Sequence, residues 1–242
     1  MMRSSINQRE IDHFTKDAPD WWNENGKFKP LHALNPTRLE FIVGEIAAHF
    51  KIKQNQPSPL SGLEILDVGC GGGLVCEPLA RLGGNVTGID ADPVAITVAQ
   101  NHAKQSGLAI AYQKQSIENL AKAKKHFDVA LALEIIEHVD NVELFVQSLR
   151  RVLKPGGILI LSTLNRTMKS YAQAIVMAED ILGWVTPGTH DWNKFIRPEE
   201  LAGILDESDF KIRAQKGFSF SPIGRNWKLS GDLGVNYIIS AI

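Results

Sequence analysis

Glu134, Glu137 and His138 stand at spacings i, i+3 and i+4, which on one helical turn put two carboxylates and an imidazole on one face. Such a set could hold a hard divalent cation such as Mg2+, or the softer Zn2+. The imidazole could instead work as a general base, because its ordinary pKa lies near neutrality. A third reading is a Glu-His pair that follows a strand and holds no metal. A second constellation lies upstream, in Leu63-Glu64-Ile65-Leu66-Asp67-Val68-Gly69-Cys70-Gly71-Gly72-Gly73. It reads as a buried strand with an acid near its end, breaking into glycines that permit φ > 0 and let backbone N–H groups approach a ligand. The turn feeds a helix, so its donors face a crevice. Its spacing is not the dinucleotide fingerprint, since Leu74 occupies the place of the third glycine. About twenty residues further on, Asp90 closes another strand, where a carboxylate can accept two hydrogen bonds from the vicinal diol of a ribose.

Those residues need a frame that gathers strand ends. The chain alternates strands at 63–68, 85–90, 110–114, 127–132 and 157–163 with helices at 74–82, 92–106 and 141–153. That alternation implies an α/β, doubly wound, mostly parallel sheet with right-handed crossovers. Ligands in such sheets bind beyond the carboxyl ends of the strands, where the chemical residues above fall. Residues 1–60 lack strand character and are expected to form a helical cap on a catalytic domain spanning 61–242. In the cap, 6–22 reads as an amphipathic helix, and Asn35-Pro36 as the N-cap and first residue of a second. Beyond strand five come an unusual loop, helices at 170–183 and 197–207, and at least one terminal strand.

Composition narrows the class. A chain of 242 residues, 44% hydrophobic, can bury one full core. A net charge of −1 gives no electrostatic footprint for nucleic acid. Cys70 and Cys76 make no disulfide framework and read as small packing residues in a reduced, cytoplasmic setting. The first thirty residues carry no secretory h-region, and no stretch is long enough to span a bilayer. Among the histidines, His13, His49, His102 and His126 read as solvated, whereas His32 and His190 sit in aromatic segments that could line an acceptor pocket.

The strand-end Asp67 followed by Gly69, Gly71 and Gly73 resembles motif I of the S-adenosylmethionine-dependent methyltransferases. Asp90, the apolar strand Phe127–Glu134 and the turn Lys154-Pro155-Gly156-Gly157 follow in the order that this class shows. Further stretches are similar to one family, the ubiquinone-biosynthesis O-methyltransferases: Trp21-Trp22, Gly26–His32, Leu34–Leu39, Ser162–Thr167, Gly188–Ile196 and Val235-Asn236-Tyr237. The resemblance covers about 21–237. It implies a class I fold and methylation of a polyprenyl catechol and of 3-demethylubiquinol. It also implies cofactor contacts at Arg38, Gly69, Asp90 and Leu133, the last standing where some members carry methionine. From the eukaryotic members it implies metal ligands at Glu134, Glu137 and His138; the imidazole chemistry itself makes His138 the catalytic candidate. Arg38 has its own logic, because a guanidinium can clamp a carboxylate with two hydrogen bonds.

A polyprenyl acceptor lives in a bilayer, so peripheral contact with an anionic inner membrane is expected, as are contacts with other quinone-synthesis enzymes. In 169–185, Tyr171, Ala174, Ile175, Ala178, Ile181, Leu182 and Val185 form an apolar stripe that Met177 and Trp184 widen. Arg166 and Lys169 could meet headgroups, and Glu179 and Asp180 keep the segment on a surface rather than across it. Rival readings are a methyltransferase of another small molecule, a nicotinamide oxidoreductase, and a non-catalytic scaffold.

Overall fold

The computed structural model describes residues 4–172, 191–221, 224 and 226–242. Among these, eight strands form one sheet: β1 (Glu64–Val68), β2 (Asn85–Asp90), β3 (Ala111–Lys114), β4 (Phe127–Leu133), β5 (Leu153–Leu164), β6 (Ile212–Ser221), β7 (Asn226–Ser230) and β8 (Asn236–Ala241). Their order is β3-β2-β1-β4-β5-β8-β6-β7. The first five are parallel, and β8 runs antiparallel to β5. The order reverses between β1 and β4, which places a topological switch point at their carboxyl ends.

The central strands are covered on both faces, which is why they read as nearly continuous apolar runs. Alternate residues serve opposite layers. Leu66, Val68, Ala130, Ala132, Leu159 and Leu161 pack with Phe145 and Leu149 of α6 (Val142–Val152) and Leu201 and Leu205 of α7 (Pro198–Glu207). Ile65, Val129, Leu131, Ile158 and Ile160 pack with Ile42 and Ile46 of α2 (Lys29–Phe50), Leu79 of α3 (Cys76–Arg81) and Ile96 and Ala99 of α4 (Pro93–Gln105). Each fully buried aliphatic side chain contributes about 1.5–3 kcal/mol, so the strand ends rest on a stiff base.

The expected doubly wound sheet is present, with strand bounds within a few residues of the sequence reading. The N-terminal helix is shorter than 6–22. α1 (Gln8–Thr15) is capped by Asn7, and a 3-10 turn at Ala18–Asp20 follows, where Pro19 cannot extend the helix. Asn35 is not an N-cap: Pro30 fills the first turn, and α2 already runs through Asn35 and Pro36. The Asn35 amide instead donates to the Leu74 carbonyl at 2.8 Å, tying α2 to the glycine loop. α5 (Ile117–Lys122), capped by Ser116, escaped the sequence reading because it is under two turns long. The C-terminal region supplies three strands. The expected helix at 170–183, the stripe from Ala174 to Val185, and His190 lie outside the described residues apart from the helix's first turn. Among the described residues, no helix is long and apolar enough to cross a membrane.

Candidate active site

A cavity of about 300 Å³ opens at the switch point. Its floor is the glycine loop after β1 and the ends of β2 and β4, and its roof is the N-terminal segment, including Ile6, Ile11, Phe14 and Trp21. The loop keeps its shape because Gly69 and Cys70 donate to the Ile89 carbonyl at 2.8 and 3.1 Å. Gly69 (φ 72°) and Gly71 (φ 51°) occupy left-handed backbone. A Cβ on Gly69 would lie 2.1 Å from Ile135 Cδ1, and one on Gly71 would lie 2.3 Å from the Trp21 ring. Glycine is therefore required twice over, by φ and by space. Trp21 stacks on Phe28 at 3.8 Å, and the Trp22 indole donates to the Gly72 carbonyl at 2.9 Å. The aromatic pair that stood out in the sequence is thus the buttress of the loop.

Asp90 sits at the cavity wall. One carboxylate oxygen accepts from Gly71 N at 2.9 Å and the other from Asp92 N at 2.8 Å. Each oxygen keeps a further lone pair for a hydroxyl donor. Burial pushes its pKa up. Leu133, at the end of β4, also lines the cavity. Arg38, on α2, is 4% exposed and its Nε has no hydrogen-bond partner. Burial lowers its pKa, while the charges of Glu134 and Asp67 oppose that. A buried guanidinium with an unpaired N–H, lining a cavity, is built to receive an anion.

Asp67 was left without a role by the sequence reading. Burial raises its carboxyl pKa to about 7, against the opposing hydrogen bond from Cys76 Sγ (3.2 Å) and the charge of Arg38, with Asp90 reinforcing the rise. The sign follows directly. The folded protein holds this proton above the unfolded carboxyl's usual pKa, so the stabilisation is present in acid and is lost as pH rises through about 7. Asp67→Asn keeps the acceptor for Cys76 and removes the loss, on the order of 2 kcal/mol in the ligand-free protein. The melting temperature of the variant should gain on the wild type as pH is raised from 5 to 8. A difference that stays flat with pH would refute this account of Asp67.

Glu134, Glu137 and His138 do not lie on a helix. Glu134 follows β4 directly in left-handed backbone (φ 51°), an uncommon conformation for a non-glycine residue that swings the chain into a 3-10 turn, Ile136–His138. Its N–H donates to Ser162 O at 3.0 Å, and its Oε1 accepts from Ser162 Oγ at 2.8 Å. Glu137 is buried: Oε2 accepts from Thr163 Oγ1 at 2.8 Å, and Oε1 has no partner. Burial, then the neighbouring charge of Glu134, raises its pKa to about 8. His138 Nδ1 lies 3.1 Å from Glu10 Oε2, and its ring meets Phe14 edge to face at 5.0 Å. All three line the same cavity, but their polar atoms face Ser162, Thr163 and Glu10. Among the described residues, no three acidic, histidine or cysteine side chains come together to hold a metal ion.

Glu10 is the residue that sequence reasoning missed. Its pKa is pulled down to about 2, first by the hydrogen bond with His138, against burial and with help from Lys194, whose Nζ is 2.7 Å from Oε1. Spacing cannot reveal a partner 128 positions away; the only sequence signal was that Glu10 and Phe14 share a face of α1. Two histidines read as solvated are partnered. His102 lies 2.5 Å from buried Glu77 and stacks on Trp22 at 3.4 Å, and His49 Nε2 lies 2.7 Å from the Gly156 carbonyl. His32 is bound to the Trp21 carbonyl at 2.8 Å, outside the acceptor side of the cavity. Cys70 and Cys76 are buried free thiols whose pKa values burial pushes up, as packing residues should be.

A switch-point cavity with a glycine loop, a strand-end carboxylate and an anion-seeking arginine defines a class I S-adenosylmethionine-dependent methyltransferase. The Methyltransferase domain family matches residues 66–161. Magnesium protoporphyrin IX methyltransferase from Synechocystis, solved with bound S-adenosylmethionine, shares the fold with a TM-score of 0.65 at 18% identity over 99% of each chain. The ubiquinone biosynthesis O-methyltransferase of Brucella anthropi is 46% identical over 239 residues, covering 99% of this chain and 96% of that one. The protein of the same name from Roseobacter denitrificans is 48% identical over 241 residues, covering 99% and 97%. The chain belongs to the ubiquinone biosynthesis O-methyltransferase family, and its cofactor is S-adenosylmethionine.

Proposed function

We propose that this O-methyltransferase acts on a ring hydroxyl of a polyprenyl catechol, 2-polyprenyl-6-hydroxyphenol, and on that of 3-demethylubiquinol. The observation that carries the reading is the continuity of one cavity. Asp90 and Gly71 share it with Arg38, Glu134, Glu137, His138 and Phe14. Residues 1–60 act as a cap on the catalytic domain of 61–242, supplying the roof.

When bound, S-adenosylmethionine supplies a methyl group already activated by a sulfonium leaving group. Arg38 binds its carboxylate, Asp90 its ribose hydroxyls, and Gly69 and Leu133 border it. What remains for the chain is alignment, which can contribute roughly 7–11 kcal/mol, and removal of the phenol proton. A phenol of pKa about 10 costs on the order of 4 kcal/mol to ionise at pH 7, so a base is needed, and His138 takes that role.

A divalent cation is the second reading, and the unpaired Oε1 of Glu137 beside the like charge of Glu134 favours it. Mg2+ or Zn2+ would relieve that repulsion and lower the pKa of a catechol hydroxyl. As arranged, though, Glu134 and Glu137 each accept from a hydroxyl and His138 Nδ1 faces Glu10, so among the described residues these side chains do not converge on one cation position. Peripheral contact with a lipid surface draws support from Met168, 74% exposed, and Tyr171, 41% exposed, whereas the neighbouring Lys169 and Arg166 are already paired with Asp232 and Glu200.

The test is transfer of labelled methyl to short-tailed catechol and demethylquinol acceptors, with arms that add a chelator, restore Mg2+ or Zn2+, or present long-tailed acceptors in anionic vesicles. Transfer to both acceptors supports the reading; transfer to neither leaves only the broader enzyme class. Loss on chelation with recovery on add-back would promote the cation reading. A long-tailed acceptor used no better in anionic than in neutral vesicles would remove the membrane contact.

A further inference from the structure

α1 is a helix without a core beneath it. Its two large apolar side chains, Ile11 and Phe14, stand three residues apart on one face, yet neither is buried. A helix of eight residues depends on tertiary packing of such a face for its stability. Polar bonds hold this one in place instead: the Asn7 amide donates to Asp140 Oδ1 at 2.7 Å, and Lys194 Nζ donates to Glu10 Oε1 at 2.7 Å. Ile11 and Phe14 line the cavity, as do Pro30 and Leu31 in the first turn of α2, and all four are half-buried. None of the four has a side chain that can donate or accept a hydrogen bond.

The wall runs from the candidate base to the surface. At one end Phe14 meets the His138 ring at 5.0 Å. Asp17, whose N–H donates to Phe14 O at 3.0 Å, pairs with Lys27 and so joins the end of α1 to the start of α2. Among the described residues that line the cavity, Lys27 alone is exposed, so the cavity opens beside it. We propose that Ile11, Phe14, Pro30 and Leu31 form a lane for an apolar substituent of the acceptor, from beside His138 to the mouth at Lys27, and that they select acceptors carrying one. The inference deepens the proposed reaction and rests on it for the place of the ring. Asp90 and Arg38 offer polar partners on other walls, whereas a wall of carbon alone rewards hydrocarbon. A polar substituent would lose its hydration there and gain no partner. A hydrocarbon chain would cover Ile11 and Phe14 and so complete the packing that α1 lacks.

Calorimetry in the complex with S-adenosylhomocysteine, where no methyl can be transferred, tests this with catechol and 3-prenylcatechol. Each buried methylene is worth about four-fold in affinity, so a half-covered prenyl group should make the second ligand at least about ten-fold tighter in the wild type. In Ile11→Ala with Phe14→Ala that ratio should fall below about three-fold. Alanine favours the helical state, so the loss would not come from a weakened helix. Leu31→Asp should abolish the preference from the α2 side; an acid in a first helical turn is favourable, so folding is spared. A wild-type ratio near one overturns the proposal and needs no variant. A ratio that survives all these substitutions overturns it too, because the substituent then leaves by another wall. Equal weakening of both ligands does the same, since α1 would then only support the site. A wild type that prefers the prenyl ligand but methylates neither compound defeats the proposed reaction and leaves the lane standing; one that methylates both with a ratio near one does the reverse.

Discussion

His138→Gln should lower kcat for methyl transfer by about 10²–10⁴-fold and leave the affinity for S-adenosylhomocysteine within about three-fold. The split follows from where the residue sits. The polar contact of His138 is with Glu10 and its ring contact is with Phe14, whereas Asp90 is held by Gly71 and Asp92, so the expected cofactor contacts do not run through His138. Glutamine retains size and polarity but takes up no proton near neutral pH. The phenol must then ionise unaided, at a cost on the order of 4 kcal/mol at pH 7. Steady-state kinetics beside calorimetric titration with S-adenosylhomocysteine checks both halves. A variant within a few-fold of wild-type kcat would mean the proton leaves by another route, and weakened binding in parallel would make His138 a structural prop.

Which parts of this site the chain disclosed in one dimension, and which it hid, follows from the range of the interactions. The parallel sheet was legible because strands buried on both faces read as largely apolar runs, as Leu63–Val68 and Phe127–Leu133 do, and because strands alternate with helices along the chain. The meeting of the glycine loop with Asp90 was legible because Gly69, Gly71 and Asp90 answer to local backbone demands and to a switch point that any doubly wound sheet creates. The arrangement around Glu134, Glu137 and His138 was not. The helical-turn reading of Glu134, Glu137 and His138 placed them together but gave the wrong geometry, because nothing in a one-letter string announces the left-handed backbone of Glu134. Their actual partners, Ser162, Thr163 and Glu10, come from strand β5 and from the far N-terminus. Asn35-Pro36 misled for a related reason. Its capping signature is locally sound, but Pro30 offers an equally good start one and a half turns earlier, and the contact of Asn35 with Leu74 favours the longer helix. Glu10 remained invisible because its role is defined wholly by long-range closure.

The largest effect on cofactor affinity is expected from Arg38→Met, and it should be selective in a way that identifies the contact. Methionine nearly conserves the buried volume and removes a charge whose burial is costly, so the ligand-free protein should lose little stability. Without the guanidinium, the acidic neighbours Asp67 and Glu134 would disfavour a carboxylate there. Two charge-assisted hydrogen bonds at about 1.5–3 kcal/mol each predict a fall in S-adenosylhomocysteine affinity of at least about 10²-fold. 5′-Methylthioadenosine keeps the adenine and the ribose but lacks the amino-acid carboxylate. Its affinity should change by less than about three-fold, because Asp90 and Gly71 still present the same acceptors and donors. Calorimetry with the two nucleosides separates the cases. Equal weakening of both would mean that Arg38 supports the loop as a whole. An unchanged affinity for the homocysteine nucleoside would require its carboxylate to lie elsewhere and would leave the unpaired Nε of Arg38 without a ligand to explain it.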